Sequence, residues 1–201
     1  MFGLNKLFSS KTKKQDAESY DSSLILPRIK HLNFERYLRE QQFEDDQMPI
    51  IEPLFGDLLL TYAFDLPKRF EMVSHRMARE LSLTPDQIRA IAMKNFSDRF
   101  PEIGMMGELP LFMVCVGNDM EATMILRDTF WDNFSKDMPG ELVISVVAPD
   151  NVLVFSSESE KLINHSRERI IKTQQETPTR ALSEMLYVRR DGQWQVFDWP
   201  S

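Results

Sequence analysis

Residues 108–155 read ELPLFMVCVGNDMEATMILRDTFWDNFSKDMPGELVISVVAPDNVLVF, a stretch in which apolar segments alternate with turn and helix-start signals. The first segment, Leu109–Val116, is almost wholly apolar, which predicts a strand with no solvated face. Gly117-Asn118-Asp119 ends that strand, and the apolar spacing that follows predicts a helix through Phe134. We expect this stretch to form the centre of one domain, with Cys115 buried in its first strand.

Two hairpins are predicted in the C-terminal half. The apolar runs 142–147 and 152–155 flank a turn at Pro149-Asp150-Asn151. Further on, Asp191-Gly192 separates two β-rich runs, and this dipeptide suits the two-residue turn of a tight hairpin. Both patterns favour antiparallel pairing.

Helix starts are predicted from capping-box patterns, in which a cap residue is followed three positions later by Glu or Gln. The pattern occurs at Thr84–Gln87, Asn118–Glu121 and Ser157–Glu160. A further helix is predicted to start at Asp65 and Pro67, since proline is tolerated in a first turn. Its apolar residues, Phe70, Val73, Met77 and Leu81, repeat at helical spacing. The run Leu58–Phe64 before it predicts a buried strand.

The predicted order of elements is α-β-α-α-β-α-β-β-α-β-β, in which hairpins outnumber strand-helix-strand steps toward the C-terminus. This order favours the α+β class, with a mixed, mostly antiparallel sheet and helices packed on it. We expect one domain over residues 24–201. Residues 1–23 are polar and charged after Phe8, which predicts a disordered or weakly ordered tail.

The composition is that of a packed globular protein, with 42% hydrophobic and 27% charged residues among 201. A net charge of −7 disfavours bulk attraction to nucleic acid or anionic lipid. No apolar run reaches the roughly 18 residues that a membrane span requires. The short apolar start of the tail leaves docking on a membrane surface as an alternative. A single cysteine fits a reducing cytoplasm.

Three groups of residues resemble the uncharacterised YtpQ-like family of bacterial proteins. The similarity extends over roughly residues 46–199. The resemblance implies a bacterial, cytoplasmic, single-domain protein, and the family has no established activity to transfer. The residues that carry it are Pro49-Ile50 with Leu59–Leu66 and Ala92–Phe96, then Gly117–Ala122 with Ile125–Asp128, and Ala148–Leu153.

No catalytic residue, metal ligand or cofactor is predicted from the motifs. The three histidines lack metal-ligand spacing, and the seven glycines form no phosphate-binding loop. Asp119, Glu121 and Asp150 occupy helix-start and turn positions, where folding alone favours a carboxylate. Acid–base chemistry is the alternative for these carboxylates. Asn95 either fixes a neighbouring loop or lines a pocket.

The candidate binding residues belong to a Met-rich, glycine-flanked loop over residues 100–107 and to the aromatic C-terminus. Loops with exposed apolar side chains often contact a partner, and methionine adapts to irregular surfaces. The preferred function is therefore non-enzymatic binding of another protein. The alternatives are a hydrolase with scattered carboxylates and an acidic, immunity-type toxin inhibitor. The candidate residues are Phe100, Ile103, Met105, Met106, Trp194 and Trp199.

Overall fold

A computed structural model of the chain describes residues 20–198, and its elements confirm the predicted α+β class with antiparallel sheets. The helices are α1 (Asn33–Glu40), α2 (His75–Glu80), α3 (Pro85–Arg99), α4 (Asp128–Phe134) and α5 (Glu160–Glu176). The strands are β1 (Ile25–His31), β2 (Ile51–Pro53), β3 (Leu58–Leu66), β4 (Arg69–Met72), β5 (Met105–Glu108), β6 (Leu111–Val114), β7 (Leu142–Ala148), β8 (Asn151–Ser156), β9 (Leu186–Arg190) and β10 (Gln193–Val196). None of the helices between residues 20 and 198 combines the length and apolarity that crossing a bilayer requires.

The described chain forms two compact units, each made of discontinuous segments. The first unit contains the residues up to Arg28, together with Phe34–Glu52 and Leu60–Pro101. The second contains Ile29–Asn33, Pro53–Leu59 and the residues from Glu102 onward.

The predicted N-terminal tail lies mostly outside the described residues. Its last residues form a 3₁₀ turn at Ser22–Leu24, in which the Ser23 N–H donates to Asp21 Oδ1 at 2.9 Å. The boundary between residues 1–23 and 24–201 stays a prediction.

The first unit contains most residues of a four-stranded sheet of order β1-β3-β2, with β4 paired to β3. The continuous apolar run of β3 forms the predicted strand, and all of it is buried except Asp65, which is half-buried. Burial of both faces explains why β3 lacks the alternation of a half-solvated strand.

The prediction of a helix starting at Asp65 and Pro67 is wrong. The chain turns back and forms β4, with Leu66 opposite Arg69 and Ala63 opposite Met72. The short α2 follows, and Ser74 caps it by accepting the Met77 N–H at 3.2 Å. The apolar spacing that suggested one helix is therefore spread over a strand and a helix.

The start of α3 is predicted correctly, because both bonds of the capping box are present. Gln87 N donates to Thr84 Oγ1 at 3.3 Å, and Thr84 N donates to Gln87 Oε1 at 2.8 Å. Asn95 on α3 donates to the Ser22 carbonyl at 2.9 Å and the Ile25 carbonyl at 3.0 Å. Its amide therefore fixes the neighbouring segment, the first of the two roles considered.

The second unit is built on a six-stranded antiparallel sheet of order β10-β9-β7-β8-β6-β5. The predicted hairpin β7–β8 lies near its centre, and every residue of β7 is buried. Helix α5 covers one face, where Ile163 and Ile170 pack with Val143, Val147 and other core residues. The other face carries an aromatic group in which the rings of Trp131 and Trp194 lie 5.8 Å apart.

The predicted burial of the strand over Leu109–Val116 is wrong. The strand is shorter, its residue Met113 is 37% exposed, and Cys115 beyond its end is half-buried. This strand, β6, lies next to the edge of the sheet, whereas β7 occupies the fully covered position.

Two predicted capping boxes are also wrong. Gly117, Asn118 and Asp119 have φ of +88°, +60° and +56°, whereas a helix cap residue is normally extended. The predicted helix is replaced by a 3₁₀ turn, Ala122–Leu126, and the short α4. At α5, Ser157 Oγ instead accepts the Glu141 N–H at 2.9 Å.

The C-terminal hairpin β9–β10 is predicted correctly. Asp191 and Gly192 have φ of +50° and +72°, as the primed two-residue turn requires. Arg190 pairs with Gln193 directly across that turn.

Candidate functional site

The six-stranded sheet ends at β5, which has β6 as its neighbour on one side and no described strand on the other. The carbonyl of Gly104, just before β5, accepts the Cys115 N–H at 2.8 Å. Bonded and non-bonded pairs alternate along an antiparallel ladder. The backbone groups of Met105 and Gly107 therefore point toward the open side.

Apolar side chains cluster along this open strand. Met106 is 61% exposed, and Met113, directly opposite it on β6, is 37% exposed. Leu109, in the turn between the two strands, is 51% exposed. We call these three side chains, with the outward backbone groups of Met105 and Gly107, the β5 edge. Grouped exposed apolar side chains are typical of interaction surfaces.

Gly107 sets the local geometry of the β5 edge. Its φ is +124°, and a Cβ at this position would lie 2.5 Å from the carbonyl oxygen of Leu111. A side chain would therefore force the β5–β6 turn to shift, so glycine is required for this close approach.

The structure groups some of the predicted binding residues and separates others. Ile103, Met105 and Met106 lie at or beside the β5 edge, with Ile103 and Met105 half-buried. Phe100 belongs to the first unit, where its ring packs 5.8 Å from that of Phe96. Trp194 is 7% exposed, and its indole N–H donates to the Ile125 carbonyl at 3.2 Å. Trp199 lies outside the described residues.

A buried polar cluster around Asp57 forms a second feature of the same unit. Asp57 is 2% exposed, and its Oδ1 accepts the Ser183 hydroxyl at 2.7 Å and the Tyr187 hydroxyl. Its Oδ2 accepts the Glu184 N–H at 2.7 Å and lies 3.5 Å from His31 Nε2. Burial, followed by the hydrogen bond to Asp57, raises the pKa of Tyr187, so the phenol remains a donor.

His31 has no ring nitrogen left for acid–base work on a substrate. Its Nδ1 accepts the Asn33 N–H at 3.0 Å, which leaves the proton on Nε2, facing Asp57. The Ser183 hydroxyl is buried and fully hydrogen-bonded, because it donates to Asp57 and its oxygen accepts the Met185 N–H at 2.9 Å. The Asp57 cluster therefore organises the fold rather than presenting a nucleophile and base.

Sequence reasoning missed this cluster because its members are far apart in the chain; Asp57 and Tyr187 are separated by 130 positions. One local signal was present in Gly56-Asp57, where the glycine has φ of +55°. A Cβ on Gly56 would lie 2.5 Å from Cε1 of Tyr187. The glycine allows the tyrosine ring to pass over the backbone and reach Asp57.

The three carboxylates considered from the sequence lie near one end of the sheet. Arg180 joins two of them, with Nη2 3.1 Å from Asp119 Oδ1 and 2.8 Å from Asp150 Oδ1. Glu121 is 6% exposed, and its Oε1 accepts N–H groups from Val116 at 3.1 Å and Gly117 at 2.6 Å. Each carboxylate thus stabilises a loop. Across residues 20–198, no three or more His, Cys, Asp or Glu side chains come together as metal ligands.

Comparisons with known proteins support the predicted resemblance. The chain is 23% identical over 146 residues to a UPF0354 protein of Bacillus cereus (strain AH187), covering 71% of this chain and 52% of that protein. It is 23% identical over 141 residues to a UPF0354 protein of Staphylococcus aureus (strain JH9), covering 68% and 47%. The chain therefore spans about half the length of the curated relatives it matches. No protein-family model and no solved structure matches it. The similarity to an uncharacterised bacterial family is confirmed.

Proposed function

We propose that this chain is a non-enzymatic protein-binding module that accepts an extended segment of another protein along the β5 edge. The observation that carries the proposal is an open strand with outward backbone groups beside the exposed side chains of Met106 and Met113. In strand addition, main-chain hydrogen bonds supply affinity and alternate side-chain contacts supply specificity. Methionine suits this role because its flexible side chain adapts to different partners.

The charge and cysteine content support a protein partner in the cytoplasm. A net charge of −7 opposes the approach of nucleic acid. The lone Cys115 has no disulfide partner within the chain, which fits a reducing compartment. A hydrolase receives less support, because Arg180 holds Asp119 and Asp150, and His31 is engaged at both nitrogens. A toxin inhibitor remains a specific form of protein binding, and the neighbouring genes test it.

The test compares proteins captured from a bacterial lysate by the wild type, Met106→Asp and Val196→Asp. Val196 is the matched control, because it is 39% exposed on β10, the strand at the other edge of the same sheet. We expect partners retained by the wild type and Val196→Asp to be lost from Met106→Asp. Circular dichroism and thermal unfolding establish that each variant is folded. Identical capture by all three proteins, or no specific capture by the wild type, contradicts the proposal.

A further inference from the structure

The pairing register continues the core of the second unit outward to the β5 edge. Along one row of facing residues, Leu153 on β8 lies opposite Met113 on β6, and Met113 lies opposite Met106 on β5. Exposure rises along this row, from 8% at Leu153 to 37% at Met113 and 61% at Met106. Leu153 packs in the core cluster with residues of α5, so the row lies on the face of the sheet that α5 covers farther in. A strand added at β5 would therefore cover apolar side chains that α5 leaves exposed.

A second row, two residues along, ends in a charge. Phe155 on β8 lies opposite Leu111 on β6, and Leu111 lies opposite Glu108 on β5. Side chains two positions apart point to the same face of a strand, so Glu108 lies beside Met106 on that face. Glu108 is exposed, and between residues 20 and 198 no cationic side chain lies within salt-bridge distance of its carboxylate. The β5 edge therefore presents an apolar side chain next to a carboxylate without a counter-ion among the described residues.

The other charges near this end of β5 are mainly negative. The segment after β8 lies close to it, because the Ser156 N–H donates to the Pro110 carbonyl at 3.1 Å. The charged residues that follow are Glu158 and Glu160, both exposed, and then the single cation Lys161. This end of the strand therefore carries a net negative charge, which favours a cationic partner.

Hydrogen-bond geometry determines how a partner strand would face these side chains. The outward backbone groups belong to Met105 and Gly107, so an added antiparallel strand would form its hydrogen-bonded pairs there. Met106 and Glu108 then occupy the non-hydrogen-bonded pairs, in which facing Cα atoms are only about 4.5 Å apart and the side chains are closest. Opposite charges that face each other across strands are stabilising, whereas like charges are destabilising.

Resting on the proposed function of the β5 edge, we propose that the segment it accepts is basic, with Lys or Arg two positions before an apolar residue. In an antiparallel added strand, the cation faces Glu108 and the apolar side chain faces Met106. The net charge of −7 on the chain favours the approach of such a segment. Pairing of β5 with the same strand of a second copy would bring no cation to Glu108, because Met105–Glu108 contains none.

The probes are two fluorescently labelled peptides, Ser-Thr-Lys-Thr-Val-Thr-Ser and its counterpart with Glu in place of Lys, and binding to the full chain is followed by anisotropy. We expect the wild type to bind the lysine peptide about fivefold more tightly, because an attractive cross-strand pair replaces a repulsive one. Glu108→Lys should reverse this preference. Glu158→Lys is the matched control, since it makes the same charge change at an exposed carboxylate outside β5, and it should retain the preference. Thermal unfolding checks that the variants are folded.

Several outcomes overturn the inference. Equal binding of the two peptides that is lost in Met106→Asp would keep the β5 edge as a binding site and remove the basic partner. Equal effects of Glu108→Lys and Glu158→Lys would indicate a general charge effect. A dimer in analytical ultracentrifugation that dissociates in Met106→Asp would assign the edge to a second copy of the chain.

Two outcomes separate this inference from the proposed function. Peptide binding that is unchanged in Met106→Asp would place the peptide away from the β5 edge and count against both. No binding of either peptide by the folded wild type would overturn the basic partner alone, because the comparison of proteins captured from lysate tests separately whether the edge binds a partner.

Discussion

Replacing Tyr187 with phenylalanine tests whether the Asp57 cluster stabilises the second unit. The substitution removes one hydroxyl, which donates to Asp57 and lies 2.9 Å from Ser183 Oγ. It leaves the ring, which packs edge-on at 4.9 Å from that of Phe55. The expected change is therefore the loss of hydrogen bonding at a buried carboxylate, with little loss of apolar packing.

The magnitude follows from the charge on Asp57. A hydrogen bond to a charged group contributes about 1.5–3 kcal/mol to the free energy of unfolding. For a chain of this size, each kcal/mol shifts the melting temperature by about 2–4 °C, so Tyr187→Phe should melt about 3–12 °C below the wild type. Urea unfolding at pH 7 measures the free energy directly. Tyr37→Phe is the matched control, because Tyr37 is 37% exposed on α1, and we expect a change within about 0.5 kcal/mol.

The pH dependence gives a second readout of the same cluster. The folded-state pKa of Tyr187 is raised above the ordinary tyrosine value of 10.0, because burial and then the hydrogen bond to Asp57 disfavour the phenolate. A raised folded pKa means that the stabilisation is fully present below pH 10 and declines as the pH rises beyond it. The difference between the wild type and Tyr187→Phe should therefore shrink above pH 10. A difference below about 0.5 kcal/mol at pH 7, or an equal loss in Tyr37→Phe, would refute the reasoning.

Three further predictions address other parts of the second unit. Ser166→Ala should raise the free energy of unfolding by about 1 kcal/mol in urea titrations, because the Ser166 hydroxyl is buried on α5 without a hydrogen-bond partner. Gly107→Ala should lower the free energy of unfolding by about 1–3 kcal/mol, because a φ of +124° is unfavourable for a residue with a Cβ. Hydrogen exchange should accelerate at β5 amides while α3 amides stay protected. Unchanged exchange at β5 would count against this prediction. Hydrogen bonding to Arg190 lowers the pKa of Glu141, so its stabilisation is present above about pH 4.5 and lost as the pH falls below it. The stability advantage of the wild type over Glu141→Gln should therefore decline as the pH falls from about 4.5, and an advantage that does not change with pH in acid would contradict this assignment.

The sequence predicted those elements whose signals are local. Thr84 and Gln87 form the capping box of α3, and Asp191-Gly192 forms the C-terminal turn, because a few neighbouring residues determine each geometry. The same reasoning failed at Asn118, where three successive residues with positive φ replace the expected helix cap. A capping pattern is compatible with both conformations, so the surrounding loop contacts determine which one forms.

The main elements that the sequence did not predict are strands with weak local signals. β4 was read as part of a helix, and β5 was read as a loop. In each case the pairing partner determines the conformation, since β4 pairs with β3 and β5 with β6. A single sequence shows the apolar spacing but not the partner strand. Both Met106 and Trp194 were predicted to bind a partner, but the structure exposes Met106 and buries Trp194 in the core. The sequence does not distinguish the two, because exposure depends on packing that it does not specify.

The candidate sites also differ in whether a local sequence signal predicts them. The Met-rich segment around Met105 was visible as a composition signal, although its character as an edge strand was not. The Asp57 cluster depends on contacts across 126 and 130 positions, which no local motif encodes.

The Asp57 cluster also sets how the chain can be cut into fragments. A fragment starting at Glu102 would retain Ser183 and Tyr187 but lack both His31 and Asp57, which belong to the same compact unit. Its buried hydroxyls would lose their shared acceptor, and the ring of Tyr187 would lose its contact with Gly56. No single cleavage point therefore releases the second unit intact, and a minimal version of it has to be assembled from noncontiguous pieces or by circular permutation.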